Sequence, residues 1–158
     1  MSKAIGIDLG NTKSVVACLH PNGPRVIDNW DSSPITPSVV HLDESLFPLV
    51  GESARTAGIA QPESTIFSVK RFLGRDFDDP DLQAEIHRSP ARIFKSADGG
   101  VEFELRGRRF TPQEITAFIL ETLKKTRWNQ KRAAAELGIG ETTLWRKIKK
   151  FDLRMEDT

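Results

Sequence analysis

The sequence predicts an α+β chain, with an N-terminal region of short strands and helices followed by an all-α module near the C-terminus. Three observations predict it. Short apolar stretches at the N-terminus alternate with tight-turn chemistry. The capping box Thr111-Pro112-Gln113-Glu114 opens a helix with a clear apolar stripe. The stretch from Asn129 to Phe151 reads as two short helices around a Gly138 turn, the second heavily basic.

The elements follow in chain order. Ala4–Leu9 is a strand, apolar at Ile5 and Ile7 and running into Gly10. Ser14–Leu19 is a second, rich in Val and Ala. Pro21-Asn22-Gly23-Pro24 supplies a turn, and Arg25–Asp28 a short third strand, completing an antiparallel meander. Val39–Leu42 and Leu49–Val50 are further short strands. Glu52–Ala60, Ile66–Leu73 and Asp81–His87 are expected to be helical. Arg92–Ser96 and Val101–Arg106 flank Asp98-Gly99-Gly100, a hairpin signal. The helix opened by the capping box carries Pro112 at its first position. Ile115, Phe118, Ile119 and Leu123 form its stripe, and it runs to about Thr126. The two parts divide at 1–110 and 111–158.

Charge is segregated along the chain. Residues 1–123 carry 13 Lys/Arg against 17 Asp/Glu, whereas residues 124–151 carry 9 against 2. That pattern suits a polyanion-binding end on an acidic domain. Cys18 is the single cysteine, which excludes an internal disulfide or a cysteine metal framework. His20, His41 and His87 are too scattered for a ligand set and read as surface or packing residues, so no metal site is expected. No stretch of about 18 apolar residues occurs, so the expectation is a cytoplasmic chain without membrane contact.

In the basic module, Asn129 is an N-cap for a helix to Leu137, and Ala133, Ala134 and Leu137 give it a small apolar face. Leu144, Ile148 and Phe151 form the inward stripe of the following helix. Thr142, Thr143, Trp145, Arg146 and Lys149 then face outward. Arg146 can fork onto a guanine, Thr142 or Thr143 can meet a thymine methyl, and Lys131, Lys147 and Lys150 suit phosphates. The run Thr126–Ala134 with Gly138-Ile139, Thr143-Leu144 and Lys147–Phe151 resembles the DNA-binding end of the bacterial nucleoid protein Fis. The resemblance implies a homodimeric binder of double-stranded DNA, nucleoid-associated, that leans on phosphates and DNA shape.

The N-terminal region carries a second signal. Ile7-Asp8-Leu9-Gly10-Asn11-Thr12-Lys13-Ser14 is a strand, a Gly turn and a strand. Backbone amides and short hydroxyls in such a turn can cradle a phosphate, and Asp8 can hold Mg²⁺ through water. A plain hairpin would look similar. The set widens to Thr36–Val40, Val50–Ala54, Ser68–Arg75 and Phe110–Ile115. Together these resemble the N-terminal part of the nucleotide-binding domain of the seventy-kilodalton heat-shock chaperones, the DnaK type. The resemblance implies a truncated actin-like, ribonuclease-H-type lobe binding ATP or ADP with Mg²⁺. By this likeness Asp8, Gly10 and Thr12 match the first phosphate loop, where Asn11 and Lys13 stand in place of the usual Thr and Asn or Tyr and complete the candidate nucleotide-binding set. Lys70 matches the lysine that positions the γ-phosphate and the attacking water.

That family closes its cleft with a second lobe, whose phosphate loop and adenosine pocket have no counterpart in these 158 residues. The expectation is therefore a DNA-binding regulator carrying an incomplete chaperone lobe, not an enzyme, with Lys70 a vestigial catalytic residue. The alternative is a nucleotide-binding chaperone-like protein that needs a partner lobe to hold ATP. A third reading is a fusion remnant that exposes apolar surface. The helix from Pro112 could serve either resemblance and is read as shared.

Overall fold

The computed structural model describes residues 5–125. The expected helix-turn-helix lies outside these residues. Residues 5–125 form three small antiparallel sheets and three α-helices around one core.

The first sheet is the expected meander. β1 (Ile5–Leu9), β2 (Lys13–His20) and β3 (Gly23–Ile27) pair in the order β1-β2-β3, with Ile5 opposite Cys18 and Val16 opposite Ile27. A short β4 (Thr36–Pro37) pairs with the start of β2. In β1 the half-buried Ile5, Ile7 and Leu9 alternate with the exposed Gly6 and Asp8, as a pleated strand with one face on a core requires. The second sheet has the order β6-β5-β7, from β5 (Val39–Leu42), β6 (Pro48–Val50) and β7 (Thr65–Phe67). All four residues of β5 are buried, because β5 is central in its sheet and is also touched by two helices. One is α1 (Glu52–Ala60), which approaches β7 through Gly58. A Cβ on Gly58 would come within 2.9 Å of Thr65 Cγ2, so only glycine allows this spacing.

The third sheet, in the order β10-β9-β8, contains the expected hairpin of β8 (Arg92–Lys95) and β9 (Val101–Leu105). It also contains β10 (Arg108–Phe110), which the sequence reading missed. Arg106 and Gly107 link β9 to β10 with φ of 53° and 73°, both left-handed, as a two-residue hairpin of the primed kind requires. An Arg in the first position hid that signal. The region Ile66–Leu73, expected to be helical, is corrected. Thr65–Phe67 joins β5 as a strand, Ser68 turns left-handed at φ 54°, and only Val69–Phe72 coil into a 3₁₀ turn. A β-branched pair finding a strand partner outweighs local helical spacing. α2 (Pro80–Arg88) starts one residue earlier than expected, capped by the Asp79 carboxylate on the Asp81 amide at 3.0 Å.

α3 (Pro112–Lys125) begins at the predicted capping box. Thr111 N donates to Glu114 Oε2 at 2.7 Å, and Glu114 N donates back to Thr111 Oγ1 at 3.2 Å. Ile115, Ile119 and Leu123 are buried to 1% exposure or less and join Leu42, Ile66, Val69, Phe72 and Phe103 in the core. Phe72 and Phe103 meet edge to face at 5.1 Å. The helix thus packs into the same core as the sheets. Ile119→Ala is expected to destabilise residues 5–125 as a unit, by about 2–5 kcal/mol. A single shifted urea transition, followed by Trp30 emission in a Trp128→Phe/Trp145→Phe background, checks this.

His41 sits at the middle of β5, 2% exposed, opposite Thr65. The Thr65 hydroxyl donates to Gln61 O at 3.0 Å, so its oxygen must accept from His41 Nδ1 at 2.8 Å, which fixes the tautomer. Burial pushes the His41 imidazole below its ordinary 6.5, and the Arg106 charge pushes the same way, against weaker pulls from Asp43 and Glu63. In the window just below 6.5 the unfolded chain therefore binds more protons than the folded one. The His41 contribution is complete above that value and declines as pH falls through the window, by at most about 1.4 kcal/mol per pH unit. His41→Gln is expected to flatten the fall of melting temperature with acidification, read by calorimetry from pH 7.5 to 5 in steps of about half a unit.

Candidate functional site

The site is the turn between β1 and β2, and three long-range contacts hold its shape. Gly10 is needed because a Cβ there would lie 2.2 Å from Lys13 O, an impossible approach to backbone. Ser38 staples the turn from the far side. Its hydroxyl donates to Gly10 O at 2.9 Å, and its amide donates to Thr12 O at 2.9 Å. Because that hydroxyl proton is committed, the Ser14 hydroxyl donates to Ser38 Oγ at 2.9 Å. Ser14 and Ser38 are both buried, so this chain of bonds is sheltered from competing water.

The third contact is Lys70. Val69 and Phe72, buried at 2% and 4%, anchor the 3₁₀ turn and leave Lys70 exposed between them. Its Nζ donates to Leu9 O at 2.8 Å, across 61 residues of sequence. An ammonium has three donors, so two are free of this bond and stand beside the turn. The cation is fixed against the C-terminal end of β1, one residue before Gly10.

The predicted residues are therefore gathered, though not equally. Gly10, Thr12 and Lys70 are tied to one another through Leu9, Ser38 and the turn backbone. Asn11, Thr12 and Lys13 are exposed. Thr12 and Lys13 line a groove of about 570 Å³ with Arg55, Glu52, Asp31 and Phe67. Asp8 projects from the exposed face of β1, two residues before Gly10. The turn presents a short hydroxyl at Thr12, with the cations of Lys13 and Lys70 among the exposed residues. Sequence reasoning missed Ser14 and Ser38 as the residues that shape the turn. A lone serine leading the buried Val39-Val40 was the available signal. Asn129, Lys131, Thr142, Thr143, Trp145, Arg146, Lys147, Lys149 and Lys150, expected from the sequence to contact DNA, lie outside the described residues.

A family profile described as Hsp70 protein matches residues 4–135 of this chain. The chain belongs to the Hsp70 family. It is also 44% identical over 123 residues to the Chaperone protein DnaK of Thermus thermophilus. That alignment covers 78% of this chain and 20% of the Thermus protein, so the chain spans about a fifth of the length of this curated relative.

These findings correct two expectations. The reading of the chain as a DNA-binding regulator is overturned, since the Hsp70 match extends through α3 and on to residue 135, into the segment assigned to the DNA module. The structure supplies the reason: Ile115, Ile119 and Leu123 are spent on the core of the chaperone-type lobe. The homodimer inferred from spanning two DNA grooves loses its basis with that reading. The expectation of no enzymatic role is overturned as well, because the chain belongs to the Hsp70 family. Among the described residues no helix is long and apolar enough to cross a membrane.

Ser38→Ala is expected to cost about 1–3 kcal/mol, because the buried Ser14 hydroxyl and Gly10 carbonyl both lose their partner. Amide exchange at Asn11–Lys13 is expected to accelerate more than exchange in β9. Equal acceleration in both would mean that the serine pair supports the fold at large and not the turn.

Proposed function

We propose that this chain is the first half of a chaperone-type nucleotide site, an actin-like lobe that grips the phosphates of ATP or ADP from one side and works with a second lobe. The observation that carries the reading is the Lys70 ammonium held 2.8 Å from Leu9 O, beside a turn that only Gly10 permits. In this reading the amides of the Gly10–Lys13 turn and the Thr12 hydroxyl cradle phosphate oxygens, with Asn11 at the rim. Lys13 and Lys70 balance their charge, and Asp8 accepts from the hydration shell of Mg²⁺. The bound Mg²⁺ would supply charge neutralisation of the phosphate oxygens. Lys70 orients the terminal phosphate because its nitrogen cannot swing away without breaking the bond to Leu9.

One-sided contact in open water is weak, because the dielectric screens each pair and the groups lack enclosure. A second lobe, from a partner protein or a further part of the protein, excludes water and makes the same groups effective in hydrolysis. A cytoplasmic setting belongs to the same reading.

The test is calorimetric titration of Mg·ADP and Mg·ATP into the full chain, alone and mixed with the separately expressed remainder of the Thermus DnaK chain. Alone, binding is expected at roughly millimolar dissociation constants, and in the mixture at micromolar. Lys70→Ala is expected to reduce hydrolysis by the mixture about a hundredfold, equivalent to about 2.7 kcal/mol of transition-state stabilisation. No nucleotide heat in either arrangement would sink the proposal.

A further inference from the structure

β7 pairs antiparallel with β5 as far as Phe67, which stands opposite Val39. Ser68 and Ser38 hold the next position, where a continuing pair would exchange two backbone hydrogen bonds. One of the two is made: the Ser68 amide donates to Ser38 O at 3.2 Å. The other is divided between the two halves of the site. The Ser38 amide donates instead to Thr12 O at 2.9 Å, in the turn between β1 and β2. Ser68 O accepts instead from the Arg71 amide at 3.0 Å, in the 3₁₀ turn that carries Lys70.

The backbone of Ser68 makes this division possible. It lies at φ 54° and ψ 41°, in the left-handed region. An extended Ser68 would carry the chain on past Ser38 towards Pro37. The left-handed Ser68 turns it at once, so that Val69 and Phe72 enter the core and Lys70 Nζ meets Leu9 O at 2.8 Å. A residue with a Cβ is strained in this region, and short polar side chains tolerate it by bonding locally. Ser68 has no such help, since its side chain makes no capping bond to the 3₁₀ turn. The strain is held by what Ser68 joins. Lys70 reaches Leu9, Gly10 is bonded to Ser38, Ser38 to Ser68, and Ser68 stands two residues before Lys70, which closes a ring.

We propose that Ser68 is a positioning residue of this site. Its left-handed backbone, and not its hydroxyl, aims the Lys70 ammonium at Leu9 and ties the Lys70 turn to the Gly10–Lys13 turn through Ser38. Its bearing on nucleotide chemistry rests on the phosphate-site reading, and Ser68 acts there through Lys70. Ser68 also lines a cavity of about 260 Å³ with Phe72 and Arg88, so a longer side chain has room at this position.

The Leu9 carbonyl reports on the Lys70 bond without nucleotide, by magnetic resonance of the full chain isotopically labelled at its leucine carbonyl carbons. Lys70→Ala marks the resonance of a released Leu9 carbonyl, and Leu105, fully buried in β9, reports on the core. Ser68→Gly and Ser68→Asn accept the left-handed region and are expected to leave the Leu9 resonance in place. Ser68→Val resists that region through its branched Cβ. It is expected to move Leu9 to the Lys70→Ala position while Leu105 stays. Ser68→Thr, branched but hydroxylated, takes its place if Ser68→Val disturbs Leu105. An unmoved Leu9 in a folded branched variant would overturn the proposal. So would a Leu9 shift in Ser68→Gly or Ser68→Asn, which would give the role to the hydroxyl. With nucleotide, and mixed with the remainder of the Thermus DnaK chain, Ser68→Val is expected to slow hydrolysis roughly tenfold, with no further loss in a Lys70→Ala background. Losses that multiply would overturn the proposal, because Ser68 would then act by a route other than Lys70. If no form binds nucleotide, the phosphate-site reading fails and the Leu9 resonance still decides the role of Ser68.

Discussion

Burial of one helical stripe organises this lobe. Ile115, Ile119 and Leu123 project from α3 into a core that receives side chains from β5, β7, β9 and the 3₁₀ turn. None of the three sheets has more than four strands, and sheets of that size are marginal unless a helix covers an apolar face. α3 touches β5, β6, β9, β10 and the 3₁₀ turn, and so joins two of the sheets. Capping matters here because it fixes where the helix starts. The Thr111–Glu114 box sets the rotation that turns the stripe inward, and a helix begun one residue later would turn it by about 100°.

The β1–β2 turn inherits its geometry from that core. Val69 and Phe72 are buried against α3 and the third sheet, and Lys70 lies between them in sequence. The core thus aims a solvent-exposed ammonium at the carbonyl of Leu9. On the other side, Ser38 leads into the wholly buried β5 and reaches Gly10 and Thr12 from there. The turn is exposed, as a ligand site must be, while both of its supports are rooted in buried elements.

The same helix explains why a reading of the chain from its C-terminal end misleads. A stripe at Ile115, Phe118, Ile119 and Leu123 satisfies any helical core, whether of a chaperone lobe or of a small helical module. Periodicity states that a helix has an apolar face and is silent about its partner. The partner turned out to be the lobe, and the Hsp70 match over residues 4–135 agrees.

Local chemistry was legible in the sequence. The meander of β1 to β3, the boundaries of α1 at Glu52 and Ala60, the hairpin of β8 and β9, and the start of α3 all rest on interactions within a few residues, and their signals are local. The candidate site residues Gly10, Thr12 and Lys70 were named from the pattern of a family. Their mutual arrangement was not legible, because Lys70 meets Leu9 across 61 residues and Ser38 meets Gly10 across 28. The strand at Thr65–Phe67 was missed for the same reason, since it exists only where β5 offers an edge. Sequence alone determined the β1–β3 meander, the β8–β9 hairpin, the span of α1 and the start of α3, because their turns, caps and side-chain periodicity act at short range. Tertiary structure alone decided which core α3 serves and where the Lys70 charge stands, because burial depends on what the rest of the chain brings to the same place.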